Sequence, residues 1–510
     1  MDKISFVKML AVFILNQTKK NILGGYAMSD VAEKKALKRI EALLDDNSFV
    51  QIGGLVNARN TDFNLNTKDT PGDGVITGYG VIDGKLVYVY SQDATVLGGA
   101  IGEMHAGKIV RLYEMAMKMG APVIGLIDSA GVRLQEAMDA MNAFGEIYNI
   151  MANASGVIPQ LVGVFGNCGG GLGILSEMAD FTVMSKEGKL FVNSSNALDG
   201  NYSEKLDTTT WTYHSEVTGL ADMVGNEDES IEMLRTFVSI LPSNNEEDGV
   251  YDDCVDDLNR VCEGIEGCFE DTLKALQLVS DNNFVLEIKN GFALDMVTAF
   301  IKLNGMTVGA VANRVKSYND AGECEELKGD KLTTDGCYKA ASFVNFCNAF
   351  NIPIITFTNV NGYKATLDEE KTIARAVAKL SYAFANSTVP KVNVIVGSSY
   401  GNAFTTMNSK ALGCDMVFAW TNANVGTMPA KDAVRIIYDE EIKNAEDKNS
   451  YIDEKASEYD LLQNSILSAA KRGYIDTIIE PCDTRKYVIG ALEMLYTKRE
   501  ERPVKKHGTI

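Results

Sequence analysis

The feature that most constrains the fold is an internal repeat, because the chain matches itself when it is displaced by 231 positions. Prolines and glycines of the first half fall on the same residue types of the second half at that displacement. The pairs are Pro122 with Pro353, Gly131 with Gly362, Pro159 with Pro390, Gly166 with Gly397, and Gly170 with Gly401. Proline and glycine restrict local backbone geometry, so their repetition at one spacing indicates two copies of one fold.

The repeat extends toward both ends of the chain at other spacings. The sequence around Gly84 resembles that around Gly305, and residues 219–222 resemble residues 473–476. A chain of 510 residues has room for two or three ordinary domains, and the repeat favours two. We therefore predict domains at 28–249 and 250–510, joined by a polar and acidic linker near residues 244–257.

A glycine-rich stretch at residues 166–173 follows the apolar run 157–165 and precedes a small-residue segment that favours a helix. A strand that ends in glycines and enters a helix leaves peptide N–H groups unpaired in the first helical turn. Such a turn can hold an oxyanion, although close packing of strand and helix explains a single glycine-rich turn about as often. Because the repeat supplies a second turn, we expect two oxyanion-type sites with related tasks.

Charge and cysteine content exclude several classes of function. The net charge of −21 disfavours binding to nucleic acid or to an anionic membrane surface, while a local basic pocket for a phosphorylated substrate stays open. The nine cysteines are scattered without a Cys-x-x-Cys pair, so they indicate neither a zinc site nor a disulfide framework. We expect a soluble cytoplasmic protein without a metal, with no nucleic-acid partner.

The N-terminal 27 residues form a separate segment, in which the apolar run 6–15 is interrupted by Lys8 and is too short to span a bilayer. The run could be the apolar part of a signal peptide. No small-x-small cleavage site clearly follows it, however, and the sequence before Met28 fits a translated ribosome-binding site. We therefore predict that residues 1–27 are a non-native extension and that Met28 is the natural start.

Short motifs elsewhere are weak. Residues 116–119 spell the Ala-Met-Lys-Met sequence of biotin attachment sites, but Lys118 falls in the last turn of a helix predicted at 97–119, so we expect no biotin there. His105 on that helix and His507 in the basic tail are interpreted as structural. Motifs of triad hydrolases, zinc peptidases and Walker-loop enzymes are absent from the sequence. The charged stretch 432–472 is predicted to be helical and carries no chemistry that stands out.

Several segments match sequence motifs of one enzyme family. They are residues 97–106 (LGGAIGEMHA), 120–122 (GAP), 128–131 (DSAG), 154–159 (ASGVIP) and 166–171 in the first half, and 346–353 (FCNAFNIP), 387–392 (STVPKV) and 498–508 in the second. Together they resemble the carboxyltransferase subunits of biotin-dependent acyl-CoA carboxylases and decarboxylases. The resemblance implies an α/β fold of two tandem crotonase-like domains, each a ββα superhelix. It also implies a hexamer built from dimers, with active sites shared between the first domain of one subunit and the second domain of its partner.

The resemblance assigns one substrate to each glycine turn. The amides of Gly170 and Gly171 are implied to polarise the thioester carbonyl of an acyl-CoA, so that its α-carbon can become an enolate. The second turn, at Gly401, Asn402 and Ala403, is implied to hold the ureido carbonyl of biotin. The family has Gly-Gly-Ala at this place, so Asn402 puts the geometry of the biotin site in doubt, although asparagine tolerates a left-handed backbone.

Further substrate-binding residues follow from the same resemblance. They are Gly131, Gly401, Phe404 and Thr405. The family's residue at the position of Thr405 lines the acyl pocket, so the size of the acyl group stays open. In the implied mechanism carboxybiotin releases CO2 and the biotin anion takes the α-proton, so no side chain has to act as a general base.

Three functions stay open at this point. The first is a carboxyltransferase acting on propionyl-CoA and methylmalonyl-CoA, or on acetyl-CoA and malonyl-CoA. The second is the α subunit of a sodium-pumping methylmalonyl-CoA decarboxylase, which a partner subunit would bring to the membrane. The third is a non-catalytic scaffold of the same fold, for which Asn402 is the only support. Either enzyme needs a separate biotin carboxyl carrier protein, together with a biotin carboxylase or a membrane decarboxylase subunit.

Overall fold

A computed structural model describes residues 35–65, 69–201, 205–247, 249–318, 324–327 and 330–505. The predicted start at Met28, the segment before it and His507 therefore lie outside the described residues. Each half of the chain builds one mixed sheet covered by helices. The two sheets lie on either side of the predicted domain boundary at 249–250, and that boundary itself stays a prediction.

The first half combines eight strands and six helices among the described residues. They are α1 (Lys35–Leu43), β1 (Val50–Ile52), β2 (Val75–Ile82), β3 (Lys85–Gln92), α2 (Glu103–Met119), β4 (Val123–Ser129), α3 (Ala137–Ala154), β5 (Gln160–Gly169), α4 (Gly171–Met178), β6 (Phe181–Ser185), β7 (Lys189–Phe191), α5 (Trp211–Tyr213), β8 (Met223–Gly225) and α6 (Glu227–Ile240).

The second half repeats this order and adds helices near its end. Its elements are α7 (Thr272–Val279), β9 (Val285–Ile288), β10 (Met296–Leu303), β11 (Met306–Asn313), β12 (Lys316–Tyr318), β13 (Cys324–Glu326), α8 (Thr334–Ala349), β14 (Ile354–Val360), α9 (Leu367–Glu370), α10 (Ile373–Asn386), β15 (Lys391–Tyr400), α11 (Gly401–Thr406), β16 (Met416–Trp420), β17 (Asn424–Gly426), α12 (Ala430–Ile437), α13 (Asp439–Asn444), α14 (Lys448–Tyr459), α15 (Ile466–Lys471), β18 (Thr477–Ile479) and α16 (Thr484–Leu495).

The two large sheets have the same topology. The first runs β1-β2-β3-β4-β5-β6-β8 with β7 beside β5, and the second runs β9-β10-β11-β14-β15-β16-β18 with β17 beside β15. In each, an antiparallel hairpin enters a parallel sheet: β2 pairs with β3, and β10 with β11, around the turns at Gly84 and Gly305. The repeat predicted from the prolines and glycines is therefore a repeat of the whole sheet.

Two helix predictions need correction. The helix predicted at 97–119 begins only at Glu103, because Gly98 and Gly99 have φ of 68° and 65°, which a right-handed helix does not accommodate. Lys118 does lie in the last turn of this helix, α2, as predicted. The stretch predicted as helical at 432–472 is divided into α12, α13, α14 and α15, with a π-helical turn between the last two.

Aromatic side chains join the two halves in one buried core. Phe181 of β6 stacks on Phe237 of α6 with ring centroids 4.6 Å apart, and it meets Phe346 of α8 edge to face at 4.7 Å. Phe300 of β10 lies 5.9 Å from Phe181. Aromatic pairs of this kind stabilise a fold beyond the apolar area they bury, so this aromatic seam fixes the halves against each other.

Helices of the described ranges are too short or too polar to cross a membrane.

Candidate active site

The first glycine turn lies at the end of a buried central strand. Strand β5 is parallel to β4 on one side and β6 on the other, and its apolar residues fill the core. The chain then turns at Gly170, whose φ of 63° and ψ of −123° suit glycine, and α4 begins at Gly171. The turn thus places the first amides of α4 beyond the carboxyl edge of the sheet.

The free amides of this turn lie one position later than the sequence predicted. The Gly170 amide donates to the Phe191 carbonyl at 2.9 Å, because the parallel pairing of β5 with β7 continues to this residue. Among the described residues, the amides of Gly171 and Leu172 have no acceptor. The amide of Gly170, which the sequence analysis named as a donor, is therefore engaged, whereas that of Gly171 is available. Leu172 was not named from the sequence, and the roles of both residues stay predictions.

The second turn repeats this backbone course. Strand β15 ends at Tyr400, Gly401 has φ of 66°, and the amides of Asn402 and Ala403 lack an acceptor in the described part of the chain. Asn402 and Ala403 lie 231 positions after Gly171 and Leu172, so the two donor pairs are equivalent. The left-handed residue of this turn is Gly401, and Asn402 has helical geometry, so the backbone of the turn forms with asparagine at this position.

The two residues after this turn face different surroundings. The half-buried Phe404 packs against the core of the second half, while Thr405 is exposed near the end of α11. Ala403 is fully buried, and its amide has no acceptor among the described residues. The Thr405 side chain is thus exposed and that of Phe404 is half-buried, and their assignment to substrate binding stays a prediction.

A second loop adjoins the first turn and follows β4. Gly131 has φ of 96°, and a methyl group at its Cα would lie 3.6 Å from the Gly169 carbonyl oxygen. The Ile101 amide donates to the Gly131 carbonyl at 2.8 Å. The Ile101 carbonyl accepts from the Arg133 amide at 2.9 Å. The amide between them, at Val132, has no acceptor among the residues described.

The loop after β14 has the same construction. The Leu332 amide donates to the Gly362 carbonyl at 2.9 Å. The Leu332 carbonyl accepts from the Lys364 amide at 3.0 Å. The Tyr363 amide is left without an acceptor within the described ranges. Val132 and Tyr363 were missed by the sequence reasoning, although the matched pair Gly131 and Gly362 points directly to them.

A buried ionic cluster supports the loop of the first half. Arg133 Nη1 lies 2.6 Å from Asp73 Oδ1 and 2.8 Å from Glu136 Oε1, and all three side chains are inaccessible to solvent. Burial raises the pKa of Asp73, and the Arg133 charge opposes that rise. Losing one partner from a buried group of charges is costly, so this cluster holds the Val132 loop in place.

His105 belongs to the same region and is structural, as the sequence suggested. Its Nδ1 lies 2.9 Å from the Asp73 carbonyl oxygen and must donate to it, so Nε2 is left to accept from Gln92. Burial, together with the charges of Arg133 and Lys108, lowers the pKa of His105 to about 3. The imidazole is therefore neutral at working pH and cannot serve as a proton donor or acceptor near neutrality.

A large cleft opens beside the first turn. It has a volume of about 750 Å³ and is lined by Asn167 and Phe191 of the turn region and by Lys189 and Lys205. Phe191 is the residue whose carbonyl holds the Gly170 amide. The cleft therefore reaches from the first turn to two lysine side chains. Groups of three or more potential metal-ligating side chains do not occur in the described part of the chain.

Comparison with known proteins places the chain within one group. The carboxyl transferase domain family matches residues 30–510. The methylmalonyl-CoA decarboxylase subunit alpha of Veillonella parvula is 38% identical over 492 residues, which cover 93% of this chain and 92% of that protein. The carboxyltransferase subunit of propionyl-CoA carboxylase from Haloferax mediterranei is 36% identical and covers 94% of both chains.

A solved structure shows the same architecture. Transcarboxylase 12S, described as a hexamer with methylmalonyl-coenzyme A and methylmalonic acid bound, is 34% identical to this chain with a TM-score of 0.86. The match covers 93% of this chain and 91% of the 12S chain. The two-domain crotonase-like fold predicted from the sequence is thereby confirmed.

Proposed function

The chain belongs to the carboxyl transferase domain family, and on that premise we propose that it transfers a carboxyl group between biotin on a separate carrier protein and a short acyl-CoA. The observation that carries the proposal is the pair of equivalent turns, each with two adjacent amides that have no acceptor among the described residues. Paired amides of this kind stabilise negative charge that develops on a carbonyl oxygen. Both substrates of this reaction present a carbonyl group, one a thioester and the other a ureido group.

The first turn is proposed to hold the thioester. Its amides at Gly171 and Leu172, with Val132 nearby, would stabilise the enolate oxygen when the α-carbon gains or loses its carboxyl group. The adjoining cleft supports this assignment, because its two lysines, Lys189 and Lys205, suit the phosphates of coenzyme A. The propionyl-CoA and methylmalonyl-CoA in the names of the relatives set the expected size of the acyl group.

The second turn is proposed to hold the ureido carbonyl of biotin through the amides of Asn402 and Ala403. The backbone fits this role, because only Gly401 needs a left-handed conformation and it is a glycine. Asn402 is exposed, so its side chain does not obstruct the amides from within the fold. The scaffold hypothesis rested on Asn402 alone, and a turn whose backbone forms around this residue supports the enzyme instead.

The working form is proposed to be a hexamer built from dimers, with a biotin carboxyl carrier protein as a further partner. The hexamer of transcarboxylase 12S supports this state. Exposed apolar side chains occur at Leu134, before α3, at Met138 and Met141 on α3, and at Leu461 and Leu462 in the π-helical turn between α14 and α15. Apolar surfaces of this kind are expected where subunits meet.

The decarboxylase α subunit remains the second candidate, because two decarboxylase α subunits, 38% and 36% identical, are among the relatives of this chain. Both candidates use the same two turns, and only the partner differs. Purification of the chain with its native partners separates them. A biotin carboxylase in the complex supports the carboxylase, whereas a membrane protein with many spans supports the decarboxylase.

The shared chemistry can be tested on the purified chain alone. We expect methylmalonyl-CoA to be converted to propionyl-CoA at a rate that depends on added free biotin, with malonyl-CoA as the comparison substrate. The products are separated by chromatography. If no short acyl-CoA loses its carboxyl group in a biotin-dependent way, while the protein is assembled and binds coenzyme A esters, the proposed function is wrong.

A further inference from the structure

A tyrosine hydroxyl lies on the far side of the first turn. Tyr148 of α3 donates its hydroxyl proton to the carbonyl oxygen of Gly171 at 2.7 Å. The half-buried Tyr148 ring lies beside that of Phe144, with centroids 6.1 Å apart. Nothing in the chemistry described above uses this hydroxyl.

The carbonyl that accepts from Tyr148 belongs to a peptide group with a proposed catalytic end. The carbonyl of Gly171 and the N–H of Leu172 are the two ends of one peptide group and point in opposite directions. A donor at the carbonyl oxygen withdraws electron density and makes the N–H at the other end a stronger donor. The Leu172 N–H is one of the amides without an acceptor in the described part of the chain.

We propose that Tyr148 is a positioning residue that fixes and polarises the peptide group between Gly171 and Leu172, so that the Leu172 amide stabilises the enolate oxygen of the acyl-CoA. This inference rests on the proposed function of the first turn. Tyr148 itself does not touch the substrate and acts only through the peptide group.

Two properties of the site support this role. Burial raises the pKa of the Tyr148 phenol above its ordinary value, so the hydroxyl keeps its proton and remains a donor. The ring also needs the absence of a side chain at Gly171, where an added methyl group would lie 2.7 Å from the Tyr148 hydroxyl oxygen and 2.9 Å from Phe144. The glycine therefore makes room for the tyrosine as well as for the turn.

The second turn receives a hydroxyl at the equivalent carbonyl by a different route. Thr406 Oγ1 donates to the Asn402 carbonyl at 3.0 Å, and Asn402 lies 231 positions after Gly171. The position equivalent to Tyr148 is Lys379, whose ammonium lies over the Tyr338 ring at 5.4 Å. The second carbonyl thus receives a hydroxyl from its own helix, a bond that threonine commonly makes, whereas the first receives one from a neighbouring helix.

The first test removes only the hydroxyl. In Tyr148→Phe we expect the biotin-dependent conversion of methylmalonyl-CoA to slow by about 3- to 10-fold, the range that one hydrogen bond supplies. The KM for the acyl-CoA should change by less than about twofold, because the charge on the oxygen develops mainly in the transition state. A residue that only packs α3 against α4 would not produce this split.

A spectroscopic measurement follows the polarisation directly. Propionyl-CoA labelled with ¹³C at the thioester carbonyl is bound to the protein, and the carbonyl stretch is read by difference infrared spectroscopy. We expect binding to lower the frequency in the wild type and to lower it less in Tyr148→Phe. Fluorotyrosine at position 148 keeps the ring and is a stronger donor, so it should lower the frequency more than tyrosine does.

Two control variants also remove one hydroxyl group each, but at places away from the carbonyl of Gly171. Tyr79→Phe removes a hydroxyl from the same sheet, and that hydroxyl makes no hydrogen bond among the described residues. Thr406→Val removes the hydroxyl behind the second turn. The thioester frequency of bound propionyl-CoA should match the wild type in both.

The outcomes separate this inference from the proposed function. If the wild type lowers the thioester frequency and Tyr148→Phe lowers it equally at an unchanged rate, the role of Tyr148 is refuted and the function of the turn stands. If the wild type shows neither a frequency shift nor biotin-dependent turnover, the proposed function itself fails. Should Tyr148→Phe lose assembly, the fluorotyrosine protein decides, and a frequency equal to that of tyrosine refutes the inference.

Discussion

The two glycine turns share one backbone course but differ in what covers them. At the first turn, Phe144 and Tyr148 of α3 pack directly on Gly171 and exclude any side chain there. At the second, the equivalent positions are Arg375 and Lys379, and Asn402 is exposed. The backbone geometry has been retained in both halves, whereas the packing around it has diverged.

This difference matches the two substrates that we propose. A thioester at the end of a long cofactor has to be fixed in a walled site, and a covered turn provides rigid donors that need no reorganisation. Biotin arrives on another protein and must enter and leave repeatedly, which an open turn permits. The repeat therefore supplied the donors, and the helices packed against each turn adapted them to different substrates.

The largest effect is expected from deleting one amide donor at the second turn, which we call the open turn because Asn402 is exposed there. Asn402→Pro removes the amide hydrogen without placing a ring in a packed region, and the rate of biotin-dependent transfer should fall by about 100- to 1,000-fold. Binding of acyl-CoA, measured by calorimetry, should be nearly unchanged. If acyl-CoA binding is lost and the biotin dependence remains, the assignment of the two turns has to be reversed.

At the first turn, which Phe144 and Tyr148 cover, one added methyl group should lower the free energy of unfolding. Gly171→Ala keeps the amide but forces a side chain against Phe144 and Tyr148, so we expect the free energy of unfolding to fall by about 1–3 kcal/mol. Asn402→Ala at the open turn should change it by less than about 0.5 kcal/mol. Denaturant unfolding of both variants measures the difference, and equal losses would contradict the contrast in packing.

The halves should also differ in their response to acid. His105 is buried in the first half, while the equivalent position in the second half is Gly336. The folded pKa of His105 is about 3, below the ordinary value of 6.5, so the unfolded chain binds the proton first and stability is lost as pH falls below 6.5.

The variant His105→Gln isolates this contribution. Between pH 6.5 and pH 5, the free energy of unfolding of the wild type should fall by about 2 kcal/mol more than that of the variant. Denaturant unfolding at both pH values, followed by fluorescence, gives the two slopes. Parallel slopes would show that His105 is not held in its neutral form.

The smallest effect is expected from restoring the family's glycine at the open turn. Asn402→Gly leaves both amides in place, because the left-handed residue is Gly401. We expect turnover with free biotin to change by less than about 10-fold and acyl-CoA binding to stay the same, with any loss coming from the greater flexibility of glycine in a helix. A larger change confined to biotin would show that the Asn402 side chain itself contacts biotin.

Much of the fold was readable from the sequence because prolines and glycines mark the ends of strands. The pairs at one spacing predicted the repeat, and the strands β4 and β14 begin 231 positions apart, as do β5 and β15. The start of α2 was missed, because the apolar spacing of residues 97–101 is helical while Gly98 and Gly99 are not. Local periodicity cannot show a positive φ.

The site was predictable in place but not in detail. Glycine spacing located both turns, yet which amides are free depends on a long-range hydrogen bond from Gly170 to Phe191 that no local pattern reveals. Tyr148 is 23 positions away from Gly171 and reaches it only because α3 packs on α4. Contacts of this kind belong to the packing of elements, so they appear only with the structure.

The aromatic seam has a consequence for how the chain is made. The ring of Phe181 is buried partly by Phe346, so the first half cannot cover this surface until the second half has been synthesised. About 105 residues separate Leu241, which follows the last helix of the first half, from Phe346. At ribosomal rates of about 5–20 residues per second, an apolar face remains open for roughly 5–20 s during every round of translation. This interval defines when a nascent chain is most exposed to aggregation and when a chaperone has most to protect.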